Sequence, residues 1–307
     1  MSSIDASDES SVRVICGPTG AGKSALAMQL AEAHDAVIIS ADSRQIYRGF
    51  DIGTAKPGLE DRAQVPHCGI DVVDPTERYS AARWAEHARE WIDAARALGK
   101  TPLVVGGTGF YLRALTEPLF ESPELDPVRR SALERAFATM TTDELRKWCT
   151  NLDPGRSHLG RTQLIRSVET ALLTGHRLSE LHRTRARAPM VRARYLVVDP
   201  GASLAAGIER RFDAMVAAGW PEEVDALVRS VVDSAPAWKA SGYGVMREMV
   251  AGRLSANQVR ERVIIETRQY AKRQRTWFRH QLDPEATTRI NPSEPSAVLL
   301  VNDWWEG

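Results

Sequence analysis

Gly17-Pro18-Thr19-Gly20-Ala21-Gly22-Lys23-Ser24 satisfies the phosphate-binding pattern G-x-x-x-x-G-K-[ST] at every defined position. Ahead of it, Val12-Arg13-Val14-Ile15-Cys16 reads as a short buried strand. Behind it, Ala25, Leu26, Gln29, Leu30 and Ala33 carry a helical period built from strong helix formers. Strand, glycine loop and helix are the context in which the motif acts. Gly17, Gly20 and Gly22 let the backbone curl until successive N–H groups face one concavity, and the helix start adds unpaired donors and the positive end of its dipole. In that cradle Lys23 offers a point charge to phosphate oxygens, and Ser24 a hydroxyl suited to Mg²⁺. The stretch predicts a P-loop α/β fold that binds a phosphorylated ligand.

Downstream, Ala36 to Ser40 is a second buried strand, delivering Ala41-Asp42-Ser43-Arg44-Gln45-Ile46-Tyr47 at its carboxyl end, where open α/β sheets bind ligands. Topology thus puts Asp42 near the phosphate site, although a strand-end aspartate also serves as a helix cap. Asp51 to Pro57 is a polar loop with one lysine. His67 to Pro75 reads as a strand ending in Asp74-Pro75, with His67 structural. Ser80 caps a helix reaching Leu98, with Trp84, Ala88, Trp91 and Ala95 on one stripe. Thr101 to Val105 is another strand, and Gly106-Gly107-Thr108-Gly109 opens the next helix. This alternation predicts a doubly wound parallel sheet.

The texture changes near Thr116. Pro118, Pro123 and Pro127 mark a linker, and helices follow over 127–140, 142–151 and 161–174. Tyr195 to Pro200 returns to strand. Further helices are expected over 203–218, 221–232, 243–251 and 255–280, then loop and a short apolar strand at 298–301. The expected organisation is a disordered tail over 1–11, a P-loop core with helical C-terminal part over 12–116 and 194–307, and a helical insertion domain over 117–193.

With 43% hydrophobic and 26% charged residues, the 307-residue chain has an ordinary globular composition. It has no apolar run long enough for a membrane span, and Met1-Ser2-Ser3-Ile4-Asp5 lacks the regions of a signal peptide. Cys16, Cys68 and Cys149 are odd in number and widely spaced, so reduced thiols in a cytoplasm are expected. Basic and acidic residues balance at 40 each, so only their distribution speaks of partners. Between Gly155 and Tyr195 nine arginines face two acids. On the last long helix, Arg268, Lys272, Arg275 and Arg279 share one stripe, with Val263, Tyr270 and Trp277 opposite. No acids at i+4 neutralise that stripe, which favours a polyanion over a merely solvated face.

A phosphate cradle alone fits several reactions. Most P-loop NTPases pair it with a strand ending in an Mg²⁺-holding aspartate, but here Thr101 to Val105 ends in Gly106-Gly107-Thr108. A small-molecule or nucleotide kinase using ATP would find its acid in Asp42. A transferase using a non-nucleotide diphosphate donor would find in Asp42 a general base for the nucleophile. Spacing does not choose between the two.

The chain resembles the tRNA dimethylallyltransferases (tRNA isopentenyltransferases) from Val12 to about Arg279. The resemblance rests on Gly17 to Ser24, Asp42-Ser43-Arg44-Gln45-Ile46-Tyr47-Arg48-Gly49, Asp51 to Pro57, and His67 through Asp71-Val72-Val73-Asp74-Pro75. It continues in Tyr79-Ser80-Ala81, Val105 to Tyr111, Gly242-Tyr243-Gly244 and Thr267 to Gln274. It implies transfer of a dimethylallyl group from dimethylallyl diphosphate to the exocyclic amine of the adenosine 3′ to a tRNA anticodon. It implies Mg²⁺ as cofactor, the tRNA anticodon stem-loop as partner, and a monomer. Diphosphate binding falls to Gly17, Pro18, Thr19, Gly20, Ala21, Gly22, Lys23, Ser24 and Arg211, with Ser24 on the metal. Catalysis falls to Asp42, Lys23 and Thr108. Contacts with tRNA fall to Asp42, Ser43, Arg44, Gln45, Thr108, Arg130, Gln163 and Arg166. The sequence departs from the family at 158–166, where an Asn-Asp pair and two arginines three apart are usual. Only Arg166 is in place; Gln163 stands where the first arginine would be, with Arg161 nearby as its substitute.

Overall fold

The computed structural model describes residues 11–117, 125–184 and 191–307. Most of the expected tail, and Pro118 and Pro123 of the expected linker, lie outside them. The chain divides into two compact units, residues 1–116 with 190–307, and residues 117–189.

The first unit is built on a six-stranded sheet: β1 (Ser11–Cys16), β2 (Ala36–Ser40), β3 (His67–Cys68), β4 (Thr101–Gly106), β5 (Arg192–Val198) and β6 (Thr287–Ile290). The order is β3-β2-β4-β1-β5-β6, and every pair is parallel. Crossover helices cover both faces of such a sheet, so its central strands read as unbroken apolar runs, and β2 is buried throughout. Helix α1 (Lys23–Ala33) follows the glycine loop; α2 (Leu59–Gln64), α3 (Ala81–Ala97) and α4 (Gly109–Thr116) precede the second unit. β1 and β4 are neighbours whose outgoing connections run in opposite directions, to β2 and to β5. Right-handed crossovers then place those connections on opposite faces, which opens a crevice between the two carboxyl ends.

Two strand expectations fail. The run from His67 to Pro75 pairs only at His67–Cys68, because Gly69 at φ 77° and Asp71 at φ 56° turn the chain out of the sheet; a lone bridge, Tyr47 to Val73, follows. Ser80 does cap α3 by accepting from the Arg83 N–H, but Ile92, not Trp91, completes the buried stripe.

The second unit holds α5 (Pro127–Thr139), α6 (Thr142–Leu152), α7 (Arg161–Thr174) and α8 (Leu178–Thr184), the last not anticipated from the sequence. Phe137, Leu145, Cys149, Leu164 and Val168 form its core. Several of its arginines are engaged by its own backbone and acids. Arg161 donates to the Phe137 and Met140 carbonyls, both at 2.7 Å, closing the end of α5. Arg130 and Arg166 converge on Glu169, which is 2% exposed.

Back in the first unit, α9 (Leu204–Ala217), α10 (Trp220–Ser230), α11 (Tyr243–Val250) and α12 (Ala256–His280) follow β5. The chain ends in α13 (Ala297–Glu306), where the sequence suggested a strand. Ala297, Val301, Trp304 and Trp305 are buried at helical spacing, while Val298, Leu299 and Leu300 are exposed. Among the described residues no helix is long and apolar enough to cross a membrane.

Candidate active site

The glycine loop lies between β1 and α1, with Gly17, Gly20 and Gly22 at φ 146°, 79° and 89°. At Gly17 a methyl group has no room, since a Cβ would stand 2.2 Å from the Val198 carbonyl oxygen. The Lys23 ammonium turns back to donate to the Pro18 carbonyl at 2.8 Å. Burial, and then the Arg211 guanidinium, pull Lys23 down to about 8, against the opposing pull of Asp42. Ser24 is exposed on the first turn of α1.

The loops leaving β2 and β4 are bonded to each other. The Ser43 N–H donates to Thr108 Oγ1 at 3.1 Å, and the Thr108 N–H to the Ala41 carbonyl at 3.2 Å. Asp42 Oδ1 accepts the Arg44 N–H at 2.8 Å, an Asx-turn that engages one of its oxygens. Gln45 spends its amide on structure: Oε1 accepts from Ser40 Oγ, and Nε2 donates to the Thr54 and Ala55 carbonyls. Those carbonyls belong to the Asp51–Pro57 loop. Glu223 on α10 accepts the Asp51 and Ile52 N–H groups, and Lys56, its side chain 1% exposed, is bound by Asp51 and Asp71. Arg211, on α9, reaches the Thr54 carbonyl at 3.4 Å. Burial lowers its pKa, with Asp42 opposing.

Two cavities flank these groups. One, of about 330 Å³, is lined by Lys23, Ser24, Gln45 and Gly107 with apolar Met28, Ile38 and Ile70. The other, of about 550 Å³, is lined by Arg44, Phe212, Trp220, Trp238 and Arg273 among others. They share Thr19, Asp42, Arg211 and Tyr270. A chamber lined by the end of the glycine loop and an aromatic chamber thus meet at a carboxylate and a guanidinium. No group of three or more His, Cys, Asp or Glu side chains placed to hold a metal occurs among the described residues.

The sequence model of the IPP transferase family matches residues 45–281, and that of the isopentenyl transferases residues 10–65. A tRNA dimethylallyltransferase from Gloeobacter violaceus is 42% identical over 275 residues, covering 88% of this chain and 89% of its own. One from Stenotrophomonas maltophilia strain K279a is 42% identical over 284 residues, with the same coverage. The chain belongs to the IPP transferase family. Among solved structures, the full-length tRNA isopentenylpyrophosphate transferase from Bacillus halodurans is 28% identical with TM-score 0.66, over 96% of this chain and 94% of that one. A eukaryotic dimethylallyltransferase acting on tRNA is 26% identical with TM-score 0.76, over 91% of this chain and 73% of that one.

In this IPP transferase the structure brings together Thr19, Lys23, Ser24, Asp42, Arg44, Gln45 and Arg211 around the two cavities. Ser43 and Thr108 sit directly behind, bonded to each other. Arg130, Gln163 and Arg166 lie in the second unit; Gln163 is exposed on α7, whereas the two arginines hold Glu169. Arg161, the suggested substitute, closes α5 instead. Two cations of the α12 stripe meet acids from elsewhere in the fold, Arg268 pairing with Glu209 of α9 and Arg275 with Asp199 after β5, while Lys272 and Arg279 are exposed. Two site residues escaped sequence reasoning. Tyr270, expected only to pack inward, lines both cavities, and burial raises its phenol to about 12. Gln274 bridges two site loops; the available signal was a polar residue on the buried face of α12, four after Tyr270.

Proposed function

We propose that this chain is a tRNA dimethylallyltransferase, moving a dimethylallyl group from dimethylallyl diphosphate to N6 of the adenosine 3′-adjacent to the anticodon. The observation that carries the reading is the pair of cavities meeting at Asp42 and Arg211, one floored by the phosphate cradle and the other walled by aromatic side chains. The loop N–H groups, the α1 dipole, Lys23 and Arg211 hold the diphosphate and stabilise the charge it gains on leaving. The adenine, drawn from its stack in the anticodon loop, enters the aromatic chamber with its amine toward Asp42. N6 forms its bond to C1 of the prenyl group as the C1–O bond breaks; the electron pair leaves with the diphosphate, and the amine proton passes to Asp42. The Ser24 hydroxyl, exposed at the cradle, would hold a Mg²⁺ that, when bound, would add to the neutralisation of the leaving group. In this reading Arg44 meets the tRNA from the loop that Ser43, Gln45 and Thr108 brace, and the exposed Gln163 is the contact left to the second unit, since Arg130 and Arg166 are taken up by Glu169. The protein acts as a cytoplasmic monomer with reduced thiols, in keeping with its three free cysteines.

Among the described residues, neither the end of β4 nor an unengaged side chain after β5 offers the metal-holding aspartate of most P-loop NTPases, which weighs against the kinase reading. β4, beside β1, ends in Gly106-Gly107-Thr108, and Asp199 at the end of β5 is taken by Arg275. Purified protein with Mg²⁺ and dimethylallyl diphosphate is expected to prenylate tRNA that lacks the modification, as read by nucleoside mass analysis. Absence of transfer, together with ATP-dependent phosphorylation of a small metabolite, would replace this reading with the kinase.

A further inference from the structure

Gln274 is a buried polar side chain to which the transfer chemistry gives no task. It is 7% exposed, on a face of α12 otherwise made of Val263, Ile264, Ala271 and Phe278. Both ends of its amide are engaged: Oε1 accepts the Thr19 N–H at 2.8 Å, and Nε2 donates to the Gly107 carbonyl at 2.8 Å. Thr19 belongs to the glycine loop after β1, and Gly107 to the loop after β4. One side chain therefore ties together the loops of two neighbouring strands on either side of the crevice. Gly107 leads directly into Thr108, whose hydroxyl holds the Ser43 N–H next to Asp42. The fit is close, for a Cβ on Gly107 would stand 2.4 Å from Gln274 Nε2.

We propose that Gln274 is a positioning residue that sets the span between the diphosphate cradle and the Thr108–Asp42 loop pair, and so the reach from the donor carbon to the acceptor amine. The proposal rests on the transferase reading above. A primary amide presents a donor and an acceptor on one rigid plane, which is what an N–H on one loop and a carbonyl on the other require. A carboxylate in its place still accepts from Thr19 but faces the Gly107 carbonyl with a second acceptor. Alanine leaves both groups unpaired. The bridge also takes the Thr19 N–H out of the cradle, leaving the phosphates to N–H groups farther along the loop. Small errors in such spacing are felt in the rate, because the reacting atoms must be held near contact.

The test compares wild type with Gln274→Ala and Gln274→Glu in steady-state transfer and in competition by inorganic pyrophosphate with Mg²⁺. Wild-type turnover checks the transferase reading by itself: a wild type that transfers nothing sinks that reading and the inference resting on it. With an active wild type, Gln274→Ala is expected to lose about 10–100-fold in kcat/KM for the donor, the range seen when a supporting hydrogen bond is removed. Pyrophosphate inhibition weakens in parallel, while the KM for tRNA changes far less than kcat/KM for the donor. Gln274→Glu is expected to match the alanine variant at pH 8. Burial and the facing Gly107 carbonyl raise the introduced carboxyl above the usual glutamate range, so as pH falls toward 6 and below the variant gains activity relative to wild type, protonation returning an O–H donor to Gly107. A packing role alone would not produce that pH-dependent rescue. Unchanged kcat, donor KM and pyrophosphate inhibition in both folded variants overturns the proposal. So does an equal loss in both at every pH with pyrophosphate inhibition intact. If Gln274→Ala fails to fold, the pH profile of Gln274→Glu decides alone.

Discussion

Lys23 sits between two demands. In the proposed reaction its charge neutralises the diphosphate, yet burial and the Arg211 guanidinium bring it from 10.5 to about 8. As pH rises through about 8 the free enzyme loses this cation, so kcat/KM for the donor is expected to fall with a limb near that pH. Lys23→Arg keeps its charge throughout, and its profile should lack the limb, whatever its absolute rate. Stability moves the other way. Between about 8 and 10.5 the unfolded chain binds more protons at this site than the native one, so unfolding free energy rises with pH across that window. Asp42 poses a separate question, because its Oδ1 closes an Asx-turn on Arg44 while the residue lines the two cavities. Asp42→Asn keeps the acceptor for the Arg44 N–H but takes no proton. It is expected to retain the wild-type melting temperature and tRNA affinity while losing at least about a hundredfold in turnover, the lower end of general-base effects. A variant that unfolds with activity per folded molecule intact would make Asp42 a cap only.

Among the elements, the sequence was legible where structure is local. The β1–loop–α1 unit, Ser80 as the cap of α3, and the long α12 follow from short-range pattern, and each stands within a residue or two of its expected place. What failed depended on distant partners. Thr287–Ile290 is short and polar, and is a strand only because β5 offers a free edge; Val298 to Val301 is a wholly apolar run with valine at each end, yet lies within a helix because Trp304 and Trp305 extend its buried face. The site divides the same way. Lys23, Ser24 and Asp42 are announced by their neighbours in sequence, whereas Gln274 gains its meaning from Thr19, 255 positions away. The arginine excess shows the same limit, since charge counts do not reveal who is paired. At Glu169, Arg130 and Arg166 converge on a buried carboxylate. Glu169→Ala is expected to destabilise the unit by about 1–3 kcal/mol in denaturant unfolding, the cost of unmaking charged hydrogen bonds whose arginines can still turn to water. Unchanged stability would return those arginines to the role of ligands for an external anion.

At the scale of the whole molecule, a metal held mostly by its substrate has a thermodynamic signature. In the proposed reaction, with no group of three or more carboxylate, His or Cys side chains placed to fix it among the described residues, Mg²⁺ is expected to add little to the folded state alone. Chelation is therefore expected to abolish transfer while leaving the melting temperature of the free protein within about a degree, the shift of a site empty at working concentration. A large drop in melting temperature would point to a resident structural ion. The sheet carries a further consequence at its rims. One margin is the two residues of β3 and the other the four of β6, so the ladder leaves very few backbone groups awaiting a partner. A neighbouring copy finds scarcely any template on which to extend the sheet, and crowding or warming the protein offers aggregation little to grow from.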